Sequence, residues 1–180
     1  MKEIVFAGYG GQGVLTVGLL MAEMAVFKGY HATWIPQYGS AMRGGTANCT
    51  VKFGEDYVYN PSQEEPDILL AMNTPSFNKF FPLVKPGGTV VINTDMIDPS
   101  ISKRNDIKVI QVPCITMAKE LNHPLGANII MAGVIVKKTG YFTEEEALNG
   151  MNAMFRKKGK EKYEALNSEA LKLGYNFISL

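Results

Sequence analysis

The stretch Gly8-Tyr9-Gly10-Gly11-Gln12-Gly13 has the residue types and spacing to bind an anion. A G-x-G-x-x-G turn between a strand and a helix aims backbone N–H groups and a helix N-terminus at one point, which is how main chain holds a phosphate. The doubled glycine followed by Gln12 makes the pattern narrower than the generic fingerprint. Thr16, one helical turn further on, either sets its hydroxyl near the turn or bonds a helix carbonyl. Gln12 is either a polar ligand of the turn or a brace for the facing loop. Both alternatives stay open on sequence.

A second constellation is Arg43-Gly44-Gly45. Arg43 is the only arginine in the first hundred residues and sits among small neighbours that leave its guanidinium room. A planar, permanently charged fork suits a phosphate or a carboxylate, although a lone arginine beside a turn is also an ordinary surface residue. The remaining candidates carry less. His31 and His123 have no carboxylate or cysteine at a local spacing, and Met21, Met24, Met151 and Met154 sit at helical spacings that suit core filling. The basic run Arg156-Lys157-Lys158-Gly159-Lys160 reads as a solvated connection between helices. No nucleophile–base pair and no acid–base pair stands out.

The elements that must position the turn follow from hydrophobic patterning. An apolar strand over 4–7 enters it and an apolar-periodic helix over 14–28 leaves it, ended by Gly29. A second strand over 32–35 is expected to stop at Pro36 and Gly39. A strand over 47–53 is expected to turn at Gly54-Glu55-Asp56 into a hairpin partner at Tyr57-Val58-Tyr59. The apolar run 68–72 reads as a strand buried on both faces, followed by a short helix near 76–81. Strands at 89–93 and 107–112 come next, then helices at 116–121, 127–138, 144–156 and 160–174. This order predicts an α/β, Rossmann-like three-layer single domain over residues 1–180, with a mostly parallel sheet, an inserted hairpin and a helical C-terminal layer.

A nicotinamide-dependent dehydrogenase needs an acid ~20 residues past the glycine turn to hold the ribose. Ile35-Pro36-Gln37-Tyr38 occupies that place, and no acid lies between Glu23 and Glu55. No Lys-Ser/Thr pair follows Gly13, so the turn is not a kinase-type phosphate loop. Composition sets the outer limits: 180 residues, 46% hydrophobic, 19% charged and a net charge of +1 describe one ordinary globular domain without a field for nucleic acid or anionic membrane. The longest apolar stretch, near 129–136, is short of the ~18–20 residues of a membrane span, and no secretory signal opens the chain. Cys49 and Cys114 are far apart with no C-x-x-C, so no self-contained zinc or iron–sulfur motif exists and two buried reduced thiols in a cytoplasmic protein are expected.

Taken together, these residues resemble the gamma subunit of 2-oxoacid:ferredoxin oxidoreductases. The resemblance runs from the glycine turn through Val14-Leu15-Thr16, and from Tyr38-Gly39 to Arg43-Gly44-Gly45. It continues in Pro66-Asp67-Ile68-Leu69-Leu70-Ala71 and in Lys85-Pro86-Gly87-Gly88. Further on it rests on Gly126-Ala127-Asn128, Gly133, Asn167, Ala170 and Gly174. It covers nearly the whole chain, and the size suits a stand-alone gamma subunit of the 2-oxoglutarate or branched-chain 2-oxoacid type; arylpyruvate enzymes have a similar subunit. The resemblance implies a complex that converts a 2-oxoacid, coenzyme A and oxidised ferredoxin to acyl-CoA, carbon dioxide and reduced ferredoxin. Thiamine diphosphate and Fe-S clusters would lie on alpha, beta and delta partner subunits only. This chain would assist assembly and bind coenzyme A through Gly8, Gly10, Gly11, Gln12, Gly13, Thr16, Arg43 and Gly44, with no catalytic or metal residue of its own. Two other readings compete: a stand-alone nucleotide-binding oxidoreductase and a purely structural adaptor subunit.

Overall fold

The computed structural model describes residues 1–39, 44–101 and 104–177. Two compact units divide the chain, Met1–Pro113 and Cys114–Leu180. The first is built on a six-stranded sheet. Its strands are β1 (Lys2–Tyr9), β2 (His31–Tyr38), β3 (Thr46–Gly54), β4 (Ile68–Ala71), β5 (Thr89–Asn93) and β6 (Lys108–Val112), in the order β2-β3-β1-β4-β5-β6. The β1–β4, β4–β5 and β5–β6 pairings are parallel, and β1–β3 and β2–β3 are antiparallel. The α/β class with a mostly parallel sheet is as expected.

Side chains alternate across a strand, so β1 feeds two cores. On one face Val5 and Ala7 join Leu69, Ala71, Val90 and Ile92 beneath Phe77 and Phe80 of α2 (Thr74–Phe80). On the other, Phe6 meets α1 (Val14–Phe27) at Gly18. A Cβ on Gly18 would lie 2.3 Å from Cys49 Sγ and 3.3 Å from the Phe6 ring, so the helix can approach the sheet this closely only without a side chain there. Within this unit the sheet therefore lies between α1 and α2.

Two local expectations are corrected. Pro36 does not end β2, which runs on to Tyr38, because β2 is the sheet's edge and a proline there can turn its missing donor outward. Tyr57-Val58-Tyr59 forms no strand. Both edges of β3 are already occupied by β1 and β2, which leaves no ladder for a third partner. Tyr57 instead stacks its ring on His31, with centroids 3.9 Å apart.

The second unit is helical: α3 (Cys114–Glu120), α4 (Ala127–Thr139), α5 (Glu144–Lys157) and α6 (Glu164–Phe177). The 129–136 run is the buried centre of α4. Here glycine sets the helix packing. A Cβ on Gly174 would fall 1.8 Å from the Ile130 carbonyl oxygen, and one on Gly133 would fall 2.2 Å from that of Leu171, so α4 and α6 touch backbone to backbone. Thr143 and Glu146 form a reciprocal capping box at the start of α5. His123 is buried with its Nε2 2.8 Å from Asn167 Oδ1, a structural bond that fits the lack of any local acid partner.

Candidate functional site

The glycine turn lies at the carboxyl end of β1, beside the carboxyl ends of β4 and β5, where open parallel sheets bind ligands. Each of its residues has a distinct task. Gly8 is buried, and a Cβ there would lie 2.7 Å from Gln12 Oε1, 3.0 Å from Val14 Cγ1 and 3.1 Å from Met72 Cβ. It serves close packing. Gly10 joins the turn to the loop after β2, donating its N–H to the Gly45 carbonyl (2.8 Å) and accepting from the Gly44 N–H (3.3 Å). Gly11 and Gly13 have φ of 102° and 74°, in the left-handed region that favours glycine.

Gly13 is also the N-cap of α1, and among the described residues no side chain caps this helix. The first helical bond runs from the Val17 N–H to the Gly13 carbonyl (3.1 Å). The N–H groups of Val14, Leu15 and Thr16 take no partner among the described residues, and neither does that of Gly11. The first turn of α1 holds no acidic residue. Open donors at the positive end of a 14-residue helix favour an anion. The Thr16 hydroxyl is half-buried and forms no hydrogen bond among the described residues, so the alternative in which it bonds a helix carbonyl is not seen.

Gln12 acts as the brace. Its Oε1 accepts from the Tyr9 N–H (2.7 Å) and from Asn73 Nδ2 (3.0 Å), while its Nε2 faces Met96 Sδ at 3.3 Å. Asn73, immediately beyond β4, also caps α2 by accepting from the Ser76 N–H (2.9 Å). Asn93, at the end of β5, donates to the Met72 carbonyl (3.2 Å) and accepts from the Asp95 N–H (3.1 Å). Thr74 Oγ1 donates to the Met96 carbonyl (3.1 Å). One polar network thus ties three strand ends together.

Sequence reasoning missed Asn73, Asn93 and Met96. A signal for Asn73 exists: Asn-Thr-Pro directly after an apolar strand is a helix-start pattern. Nothing comparable marks Met96. Arg43 lies outside the described residues, and its neighbour Gly44 is exposed with φ 72°. Cys49 lies in the same unit, but burial pushes its thiol up to about 12 against the opposing pull of the Trp34 indole, so it is no thiolate nucleophile. Among the described residues no three His, Cys, Asp or Glu side chains gather to hold a metal, and no helix is long and apolar enough to cross a membrane.

Residues 3–177 match the pyruvate ferredoxin/flavodoxin oxidoreductase family. The ketoisovalerate oxidoreductase subunit VorA of Methanothermobacter marburgensis is 36% identical over 96% of the chain; the chain spans 35% of that relative's length. The keto/oxoacid ferredoxin oxidoreductase gamma subunit of Geobacter sulfurreducens superposes with a TM-score of 0.82 at 26% identity, covering 97% of this chain and 96% of that one. The 2-oxoglutarate:ferredoxin oxidoreductase of Magnetococcus marinus, solved with 2-oxoglutarate, coenzyme A and succinyl-CoA bound, has the same fold at a TM-score of 0.85 and 22% identity, covering 97% of this chain and 30% of that one. The chain belongs to the pyruvate ferredoxin/flavodoxin oxidoreductase family.

Proposed function

We propose that this chain is the gamma-type component of a multi-subunit 2-oxoacid:ferredoxin oxidoreductase working in the cytoplasm, and that residues 1–180 act as one family domain. The complex as a whole would oxidise a 2-oxoacid in the presence of coenzyme A, giving acyl-CoA, carbon dioxide and reduced ferredoxin. Thiamine diphosphate and Fe-S clusters belong to the alpha, beta and delta partners in this reading. The match over residues 3–177 and the likeness to a gamma subunit over its full length support it.

Within that complex the glycine turn receives a phosphate of coenzyme A. The observation that carries this is the set of N–H donors on Gly11, Val14, Leu15 and Thr16 that stay open among the described residues, at the start of α1. Gly13 shapes the entry, the Thr16 hydroxyl adds a donor, and Arg43, next in sequence to Gly44, would supply the matching charge. Gly8, Gly10 and Gln12 hold the turn rather than the ligand. A second reading, in which the turn only packs against a partner subunit, draws on the contacts of Gly8 and on the pairing of Gly10 with the 44–45 segment.

The chain, tagged in its native host and purified gently, is expected to bring down a thiamine-binding subunit in stoichiometric amount and to show coenzyme A-dependent 2-oxoacid oxidation. Recovery of the chain alone, without that activity, would overturn the assignment.

A further inference from the structure

We infer that Asn73 is a positioning residue for the glycine turn, holding it through Gln12 in the shape a coenzyme A phosphate enters; this rests on the coenzyme A reading above. Asn73 is 1% exposed and uses both ends of its amide: Oδ1 accepts from the Ser76 N–H and Nδ2 donates to Gln12 Oε1. The same Gln12 oxygen accepts from the Tyr9 N–H, so a single atom joins the end of β1 to the start of α2. The two donors fix which way the Gln12 amide faces, because a flip would set an NH2 group against both of them.

The turn needs this hold. Gly11 and Gly13 have the widest backbone choice of any residue type, and both sit at positive φ. If Asn73 no longer donates, Gln12 keeps its local bond to Tyr9 and the Met96 contact, and the turn loses its tie to the start of α2. Binding must then order the turn as well as the ligand, which weakens coenzyme A without altering chemistry elsewhere in the complex. Asn93, fully buried, steadies the same junction from β5 by donating to the Met72 carbonyl, one residue before Asn73.

Asn73→Asp and Asn73→Ser separate this role from helix capping. Either side chain still accepts from the Ser76 N–H, but the carboxylate has no proton for Gln12 and the serine is too short to reach it. In the complete complex, both are expected to raise the apparent KM for coenzyme A about tenfold, the loss of one buried hydrogen bond, with kcat and the KM for the 2-oxoacid within about twofold of wild type. Subunit assembly should be unchanged. Gly13→Val, measured alongside, reads the coenzyme A site without involving Asn73. If Gly13→Val raises the KM for coenzyme A and neither Asn73 variant does, the positioning role is wrong and Asn73 is only a cap. If all three leave it at the wild-type value, the coenzyme A reading falls and the inference with it.

Discussion

At the amino ends of β1, β4 and β5 the buried charged side chains are paired; at the carboxyl ends the side chains that hold the glycine turn are neutral amides and a thioether, with Asp95 just past β5. The amino end holds Lys52, buried in β3 and bridged to Glu3 at 3.3 Å and to Glu64. It also holds Asp67, which accepts from the Glu3 N–H (2.8 Å) and pairs with Lys2 (3.2 Å) and Lys85. Each of these charges has a counter-charge within the unit. The carboxyl end has no such closure: Asn73 donates to Gln12 and Asn93 donates to the Met72 carbonyl, while the N–H groups of Val14, Leu15 and Thr16 stay open among the described residues. Paired charge marks the structural end of this sheet, and backbone donors that stay open among the described residues mark the candidate site.

Breaking the charged end should cost most. Lys52→Met leaves Glu3 buried without its cation and is expected to destabilise by about 3 kcal/mol, lowering the melting temperature by roughly 10 °C. Calorimetry checks this, and the KM for coenzyme A of the folded fraction should not move. A loss of stability below about 1 kcal/mol would show that the pair is dispensable. At the other end, Gly8→Ala drives a methyl into Gln12 Oε1 and Met72. It is expected to cost about 2 kcal/mol and to weaken coenzyme A binding too, because the displaced Gln12 releases the turn.

How the sequence announced these two ends differs as well. The glycine turn was legible because its spacing is local: strand, turn and helix are contiguous, and Gly8, Gly10, Gly11 and Gly13 fall within six residues. The parallel strands at 68–71 and 89–93 were legible because continuous apolar runs fit strands buried on both faces. The roles of the individual glycines were not, because packing at Gly8 and loop pairing at Gly10 depend on Met72 and Gly45, brought in by other strands. The same holds for Asn73 on Gln12, 61 residues apart, and for the Lys52–Glu3 pair, which only the β1–β3 register brings together. The false hairpin at 57–59 came from reading β propensity without knowing that β3 had no free edge.

Two smaller effects sharpen the contrast. Thr16→Val removes a hydroxyl with no partner among the described residues, so stability should hold while the KM for coenzyme A rises about threefold, the lower range of one hydrogen bond. An unchanged KM would remove Thr16 from the site. At the charged end, burial pushes the Asp67 carboxyl up, but the hydrogen bonds from Lys85 and the Glu3 N–H, together with Lys2, outweigh it and hold the group below its ordinary 3.8. A carboxyl lowered on folding adds stability above its unfolded value and loses it as pH falls below 3.8 toward the folded one. Acid titration followed by circular dichroism should therefore show a shallower loss of stability below that pH in Asp67→Asn than in wild type. Parallel curves would remove Asp67 from the acid response.

The central claim is that the carboxyl end of the sheet serves coenzyme A, and the most direct test is the apparent KM for coenzyme A of the assembled complex carrying Gly13→Val. A β-branched side chain at φ 74° distorts the turn at the N-cap of α1. The KM should rise about tenfold or more with the KM for the 2-oxoacid unchanged. A fully assembled complex with a normal KM for coenzyme A would contradict the claim and leave the turn as a packing element.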